Sequence, residues 1–219
     1  MAFELFEGSE EDVPLVAEIF VAAMSKDLQW QSLMRDVKFE DWLAWQVEYF
    51  KLRWKLPDKR LFFARETATG KVVGYTILGL PGNFSKEQID ASSGVPPMPE
   101  GVNQVILKAM VALIGISKEH GYDSTKHYHR KGIAVLPEYQ RRGIARMLSE
   151  RLNEIVDEEG GATYVVTMPV SSQLFATQEF EIVGIRSMDM TEFGGAPSDG
   201  NNYVMLRKPH GNTNASLES

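Results

Sequence analysis

One junction between a strand and a helix constrains the fold of this chain more than any other segment. Val135 to Ala145 reads V-L-P-E-Y-Q-R-R-G-I-A, and the apolar residues Ile133 and Ala134 lead into it. A small residue such as Gly143 lets the backbone approach a ligand closely. The first N–H groups of the following helix have no partners within the helix, and the helix dipole adds partial positive charge there. The pattern therefore predicts an anion site at the start of the helix.

Polar and basic side chains stand in the same turn. Arg141 and Arg142 carry charge that suits phosphate oxygens, and Gln140 precedes them. We therefore expect a cofactor that carries a pyrophosphate group to bind at this turn. The alternative interpretation is a tight strand-to-helix turn whose arginines are simply solvated.

This junction resembles motif A of the GCN5-related N-acetyltransferases (GNAT), whose pattern is Q/R-x-x-G-x-G/A. Gln140, Gly143 and Ala145 occupy the three defined positions of that pattern. The resemblance implies that acetyl-CoA is the cosubstrate and that the turn binds its pyrophosphate. The cofactor-binding residues that it implies are Ile133, Ala134, Val135, Gln140, Arg141, Arg142, Gly143, Ile144, Ala145 and Phe175.

The fold that the resemblance implies is of the α/β (α+β) class. In the GNAT fold a mixed central sheet is flanked by helices and splays open at the cofactor strand. The length of 219 residues suits one domain. We expect a single domain at 1–209, with a helical and proline-loop insertion at about 81–126, and a mobile polar tail at 210–219.

The remaining elements are predicted from hydrophobic periodicity and turn residues. Strands are expected at Phe3–Phe6, Leu61–Arg65, Val72–Leu80, His127–Val135 and Ala162–Met168, with a closing hairpin at Ile182–Met190 and Asn202–Arg207. Helices are expected after Ser9 and at about 39–54, 102–120, 144–156 and 171–177. Pro96, Pro97 and Pro99 favour a loop over Pro81–Pro99. Gly132 indicates a bulge or a close backbone approach within the cofactor strand.

His129 is the candidate catalytic base. It lies four residues before Ile133 on the same strand, and even spacing predicts that both side chains share one face. Its ordinary pKa near 6.5 suits proton transfer at neutral pH. In the resemblance, it stands where some histone acetyltransferases carry a catalytic glutamate. A structural hydrogen bond is the alternative role, His127 is the second candidate base, and Lys131 is expected to lower the pKa of the imidazole.

The acid of the reaction is harder to identify. Leu174 to Phe180 resembles the family pattern L-Y-x-x-x-G-F, in which the tyrosine protonates the departing thiolate. Phe175 replaces that tyrosine here, and Glu179 replaces the glycine. Phe175 can pack against the cofactor but cannot donate a proton. Water or a nearby serine (Ser171 or Ser172) could substitute, although either serine is equally a candidate helix cap.

Composition excludes several classes of function. The chain has no cysteine, which excludes disulfides, thiolate metal sites and a cysteine nucleophile, so direct attack without an acyl-enzyme is expected. A net charge of −7 argues against nucleic-acid binding. Met1–Glu4 lacks the basic region of a signal peptide, so no signal peptide is expected. Polar residues interrupt Val102–Ile116, the longest apolar-rich stretch, so no membrane-spanning helix is expected. We expect a cytoplasmic protein without metal or membrane contact, either a monomer or a homodimer.

The predicted function is N-acetyl transfer from acetyl-CoA to a primary amine of a small molecule. Two alternatives remain open at this point. The first is a non-catalytic acyl-CoA-binding or sensor module, which Phe175 suggests. The second is a protein acetyltransferase that acts on lysines or N-termini. The acidic charge balance is compatible with a cationic acceptor under either enzyme reading.

Overall fold

A computed structural model describes residues 2–209 and contains a seven-stranded mixed sheet. The strands are β1 (Phe3–Gly8), β2 (Lys59–Glu66), β3 (Val72–Gly79), β4 (Tyr128–Val135), β5 (Thr163–Thr167), β6 (Glu181–Ser187) and β7 (Asn201–Arg207). They lie in the order β1-β2-β3-β4-β5-β7-β6. The β4–β5 pair is parallel and the other neighbouring pairs are antiparallel. This mixed sheet confirms the predicted fold class.

Helices cover both faces of the sheet. They are α1 (Val13–Met24), α2 (Leu28–Leu33), α3 (Phe39–Trp54), α4 (Lys86–Ser93), α5 (Gln104–Val111), α6 (Ile116–Glu119), α7 (Ile144–Glu159) and α8 (Pro169–Ala176). On β2, Phe62 packs in one core cluster with α7, whereas Phe63 packs in another with α1. Because successive strand residues point to opposite faces, α1 and α7 lie on opposite sides of the sheet.

Helix α7 follows the predicted apolar stripe. Ile144, Leu148 and Leu152 recur every four residues and are buried against the sheet. Glycines with positive φ stand at both ends, Gly143 at +83° and Gly160 at +69°. These left-handed positions are where glycine begins and ends the helix without a steric cost. The helix predicted at 144–156 is thereby confirmed.

The prediction of a loop over Pro81–Pro99 is wrong in part, because this segment contains α4. Ser85 caps the helix, since its hydroxyl accepts a hydrogen bond from the Gln88 N–H at 3.2 Å. The Gln88 side chain accepts one in return from the Ser85 N–H at 2.9 Å. This capping box starts a helix in a polar stretch that has little apolar periodicity. Pro96, Pro97 and Pro99 lie beyond the end of α4, where they do not interrupt it.

The single helix predicted at 102–120 is also wrong. The structure has α5 and α6 there, separated by a turn. Gly115 has a φ of +80°, which a right-handed helix does not contain. A further short helix, α2, was missing from the sequence prediction. Its cap is Asp27, whose carboxylate accepts from the N–H groups of Gln29 and Trp30 at 3.0 and 3.2 Å.

The predicted mobile tail at 210–219 lies outside the described residues. Within residues 2–209, none of the helices combines the length and the apolar character needed to cross a lipid bilayer.

Candidate active site

Strands β4 and β5 part in the middle of the sheet. They pair through Tyr128–Thr163, His129–Tyr164 and Arg130–Val165. Strand β4 then continues alongside β3 as far as Val135, opposite Gly74. A gap therefore opens on the β5 side of β4 beyond Arg130. This is the predicted splay, and we call its closed end, at Arg130 and Val165, the fork.

The backbone of β4 offers hydrogen-bonding groups to this gap. The Leu136 N–H donates to Val73 of β3 at 2.9 Å. Because hydrogen-bonding direction alternates along a strand, the N–H groups of Val135 and Ile133 point away from β3, into the gap. The Val135 carbonyl accepts a hydrogen bond from the Gln140 side chain at 3.0 Å. An extended ligand could therefore pair with β4 as an additional strand would.

A β-bulge at Lys131 changes the side-chain alternation of β4. Leu78 lies opposite Arg130 and Ile77 lies opposite Gly132, so Lys131 is the extra residue. Gly132, which indicated a bulge or a close approach in the sequence, is the next residue along the strand.

The bulge makes the prediction that His129 and Ile133 share a face wrong. Ile133 packs against the core clusters that contain α7 and Phe175. His129 instead contacts Ser117 of α6 and the ring of Tyr122, on the opposite face. One inserted residue moves every later side chain to the other face, because the strand period is two.

A cleft of about 480 Å³ runs along the gap to the start of α7. It is lined by eight of the predicted cofactor residues, namely Ile133, Ala134, Val135, Gln140, Arg141, Gly143, Ile144 and Ala145. The cleft thus joins the free edge of β4 to the predicted anion site. Such a shape fits an elongated ligand with an anionic group at one end.

The turn before α7 has the geometry of an anion cradle. Among residues 2–209, apart from Gly143 and its two chain neighbours, no atom lies within 4 Å of the position that a Cβ would occupy on Gly143, so space is open above its backbone. Arg141, next to this glycine turn, has a φ of +63°, which is uncommon for a residue with a side chain. The first intrahelical hydrogen bond runs from the Met147 N–H to the Gly143 carbonyl at 3.0 Å. The N–H groups of 144–146 precede it and have no acceptor within the helix.

Two predicted cofactor residues lie outside this cleft. The Arg142 guanidinium donates to the Glu138 carbonyl at 2.8 Å and lies 4.9 Å from the centre of the Tyr139 ring. Phe175 is only 2% exposed and stacks edge-on against Phe180, with ring centres 5.2 Å apart. Leu174, the residue before Phe175, lines the cleft instead, together with Ser171, which was a candidate substitute for the missing acid.

Both ring nitrogens of His129 are engaged in hydrogen bonds. Nδ1 lies 2.9 Å from the Arg130 carbonyl oxygen, which can only accept, so Nδ1 carries the proton. Nε2 then accepts from the Ser117 hydroxyl at 3.0 Å. Burial, followed by the charge of Lys131, lowers the pKa of His129 to about 3. The imidazole is therefore neutral at pH 7, and any proton would reach it through Ser117 or after a rearrangement.

The second candidate base, His127, is also held in place. Its Nδ1 accepts from the Asp123 N–H at 3.0 Å, and its ring packs against Tyr122 and Tyr164. Among residues 2–209, no cluster of three or more histidine or acidic side chains is placed to hold a metal ion.

Sequence reasoning missed two parts of the site. The first is the connection between α1 and α2, where Lys26, Asp27 and Leu28 form part of the cleft wall. Burial raises the pKa of the Asp27 carboxyl. The signal available in the sequence was the aspartate followed by an apolar run, which is typical of a capped helix.

The second missed group is the Tyr75 hydroxyl on β3. It lies 3.5 Å from the position that a Cβ would occupy on Gly132, immediately beyond the bulge. The side chain is 1% exposed, and burial alone raises its pKa, so the phenol remains neutral. Within residues 2–209 this hydroxyl has no hydrogen-bond partner. In the sequence, Tyr75 cannot be told from an ordinary aromatic residue of a core strand.

Comparison with known proteins bears directly on this arrangement. The model of the acetyltransferase (GNAT) family matches residues 27–180, which is more than half of the chain. Among curated protein sequences no match is found.

Solved structures provide the structural comparison. One is the C-terminal condensation domain of Ebony in complex with β-alanyl-dopamine, at 15% identity and a TM-score of 0.66 over 95% of this chain and 99% of that chain. Another is a mosquito arylalkylamine N-acetyltransferase-like protein 5b, at 14% identity and a TM-score of 0.56 over 94% and 100%. A third is PaiA N-acetyltransferase of Thermoplasma acidophilum in complex with coenzyme A, at 13% identity and 0.53 over 95% and 99%. At these identities the similarity shows a shared fold.

Proposed function

This chain belongs to the acetyltransferase (GNAT) family, and we propose that it moves an acetyl group from acetyl-CoA to a primary amine of a small molecule. Family membership makes it an acyl-CoA-dependent acetyltransferase. The observation that carries the proposal is the gap beside β4, which opens towards the start of α7. Support for an amine acceptor comes from the arylalkylamine N-acetyltransferase-like relative and from the amine-derived ligand of the Ebony domain.

The cleft residues fit acetyl-CoA. The open cradle at Gly143, with the N–H groups of 144–146, suits the pyrophosphate, and Arg141 adds positive charge. The free N–H groups of Ile133 and Val135 suit the amides of the pantetheine arm. When bound, acetyl-CoA supplies a thioester carbonyl that an amine can attack.

The positions of these groups set the direction of the bound cosubstrate. With the pyrophosphate at the start of α7, the arm would follow β4 towards the fork, and the thioester would then lie beside Gly132. The amine nitrogen forms a bond to the acetyl carbon, and the carbon–sulfur bond breaks. The amine loses a proton, and the departing thiolate gains one. The chain has no cysteine that could form an acyl-enzyme thioester, and in the proposed reaction the acetyl group passes directly from sulfur to nitrogen.

Tyr75 is the group we place as proton donor to the leaving thiolate, in the role that Phe175 cannot fill. Within residues 2–209 its hydroxyl has no hydrogen-bond partner; it is neutral and lies next to Gly132, where the arm would end. His129 remains the candidate base, acting through the Ser117 hydroxyl, whose oxygen lies 3.0 Å from Nε2.

A panel of small primary amines tests the proposal, with acetyl-CoA as donor. Thiol release and the mass of the product are measured together, so that hydrolysis is separated from transfer. We expect at least one amine to gain an acetyl group with stoichiometric release of CoA. Tight CoA binding without transfer to any amine would support a non-catalytic sensor, and faster acetylation of peptides than of free amines would support a protein acetyltransferase.

A further inference from the structure

The side chain of Lys131 lies on the α1 face of the sheet beside Gly79 and Tyr122, and we infer an open space around it, which we call the Lys131 cleft. This lysine is exposed, although it lies on β4, the middle strand of the seven. Its side chain crosses β3 over Gly79, where an added Cβ would stand 2.5 Å from the lysine Cε. Its ammonium lies 6.0 Å from the centre of the Tyr122 ring. An exposed side chain in the centre of a sheet requires an open space above it.

This space lies at the reacting end of the gap. Lys131 follows Arg130, the last β4 residue paired with β5, and precedes Gly132. If the cosubstrate enters from α7 as proposed above, the acceptor must arrive from another direction. Lys131 and the Tyr75 hydroxyl both lie on the α1 face, next to the fork. The cleft over Lys131 is therefore placed to hold the acceptor.

The cleft is cationic, although the chain as a whole has a net charge of −7. The charged groups that act most strongly on Lys131 are Asp58, Lys59, Arg53 and Lys118. Asp58 forms a largely buried ion pair with Lys59. Arg53 donates to the Ser92 carbonyl at 2.7 Å and lies over the Tyr49 ring, so its partners are neutral. Within residues 2–209, neither Lys131 nor Arg53 therefore has a carboxylate partner within 4 Å.

Lys131 itself has no anionic partner in the part of the chain that the structure describes. No carboxylate within residues 2–209 lies within 4 Å of its ammonium nitrogen. Part of the side chain reaches solvent, but the protein around the ammonium group lowers its pKa by desolvation. Asp58 raises the pKa, and the cations Lys59, Arg53 and Lys118 repel the ammonium group and lower it. An anion bound in this cleft would relieve that repulsion, and a cleft with one sign of charge raises the local concentration of the opposite ion.

We propose that the acceptor is an amine that also carries a carboxylate, as an amino acid does, and that Lys131 binds this carboxylate while the amine faces the fork. This inference rests on the proposed acetyl transfer and specifies its substrate class. It replaces the earlier expectation that the acidic charge balance suits a cationic acceptor, because the charge next to the reaction point has the opposite sign. Lys131 acts here as a specificity-determining residue.

The test compares amino acids with the amines that lack only the carboxylate. The pairs are phenylalanine with phenethylamine and β-alanine with ethylamine, and kcat/KM is measured for each with saturating acetyl-CoA. The wild type is expected to favour the carboxylate-bearing member of at least one pair by about tenfold or more. Lys131→Gln is expected to lower kcat/KM for that amino acid by about 10- to 100-fold and to change the matching amine by less than about twofold.

Two controls define the effect. Lys126→Gln removes an exposed lysine that pairs with Asp123 at 3.2 Å outside the cleft, and it should leave both substrates unchanged. Lys131→Arg keeps the charge and should retain much of the preference. 3-Phenylpropionate has the carboxylate of phenylalanine but no amine, so it can bind without being acetylated. It should compete with phenylalanine in the wild type and only weakly in Lys131→Gln.

The outcomes separate this inference from the proposed function. Acetylation of amines without any preference for the carboxylate, or an equal loss for both substrate types in Lys131→Gln, would overturn the inference and leave amine acetylation intact. Transfer to neither substrate type would overturn both. A carboxylate preference that disappears in Lys131→Gln but survives in Lys126→Gln would establish the inference.

Discussion

Replacing Gly143 by alanine separates the ligand-binding role of the turn before α7 from its role in stability. Helix α7 offers an internal control, because Gly143 and Gly160 stand at its two ends with φ of +83° and +69°. Among residues 2–209, apart from the chain neighbours of each glycine, no atom lies within 4 Å of an added Cβ at either position. Alanine therefore meets the same conformational penalty at both sites and a steric clash at neither.

The expected loss of stability follows from the backbone. A left-handed conformation destabilises an L-residue by about 1–2 kcal/mol. The lower entropy of the unfolded alanine variant offsets about 0.4–1 kcal/mol of this loss in unfolding free energy. Each variant should therefore lose about 1 kcal/mol of unfolding free energy. For a chain of this length, that corresponds to a fall in Tm of about 2–4 °C. Thermal unfolding of Gly143→Ala and Gly160→Ala should give similar values.

The expected loss of CoA affinity differs between the two variants. Gly143 lines the cleft, and the open space above it is where the pyrophosphate would lie. A methyl group there displaces the anion from the N–H groups of 144–146. Losing one charged hydrogen bond, at about 1.5–3 kcal/mol, raises Kd by about 10- to 150-fold. Gly160→Ala should bind CoA as the wild type does.

Isothermal titration calorimetry with CoA measures both affinities. A folded Gly143→Ala variant with wild-type Kd would refute the anion cradle. An equal loss of affinity in Gly160→Ala would show that the effect comes from general destabilisation of α7.

Three further predictions concern the residues around the fork. Because burial holds the pKa of His129 near 3, below its unfolded value near 6.5, unfolding free energy should fall with decreasing pH between these values by up to about 1.4 kcal/mol per pH unit. His129→Gln should remove this part of the slope in urea unfolding at pH 7 and pH 5, and an unchanged slope would contradict the assigned burial. Tyr75→Phe should lower kcat by about 10- to 100-fold without changing CoA affinity or reducing stability. Tyr164→Phe is the matched control, since its hydroxyl donates to a backbone carbonyl at 3.2 Å, and equal rates in both variants would remove Tyr75 from proton transfer. Phe175→Tyr should cost about 1–3 kcal/mol of stability in urea unfolding, because it buries a hydroxyl in an apolar cluster, and a rise in turnover of more than about tenfold would contradict that placement.

The junction around Gly143 was predictable because its signals are local. A short apolar strand, a glycine turn and a four-residue apolar repeat determine the elements on either side without reference to the rest of the chain. The mixed sheet that splays open at the cofactor strand then follows from the family resemblance. For the same reason, eight of the predicted cofactor residues meet in one cleft.

The bulge at Lys131 explains why the arrangement of the catalytic face could not be predicted. Gly132 signalled an irregularity, but a bulge is defined by its pairing with β3, which is not a local property of β4. One extra residue was enough to separate His129 from Ile133. The unpartnered Tyr75 hydroxyl and the cationic cleft arise likewise from residues distant in sequence.

Hydrogen exchange at β4 tests the central claim most directly, which is that acetyl-CoA binds as an added strand in the gap. Exchange rates of single amides are measured by NMR, with and without saturating CoA. The account predicts that the Ile133 and Val135 amides exchange at least about tenfold more slowly with CoA, whereas Ala134, whose N–H faces β3, is unchanged. Unchanged exchange at Ile133 and Val135, with CoA binding confirmed by calorimetry in the same sample, would contradict the account.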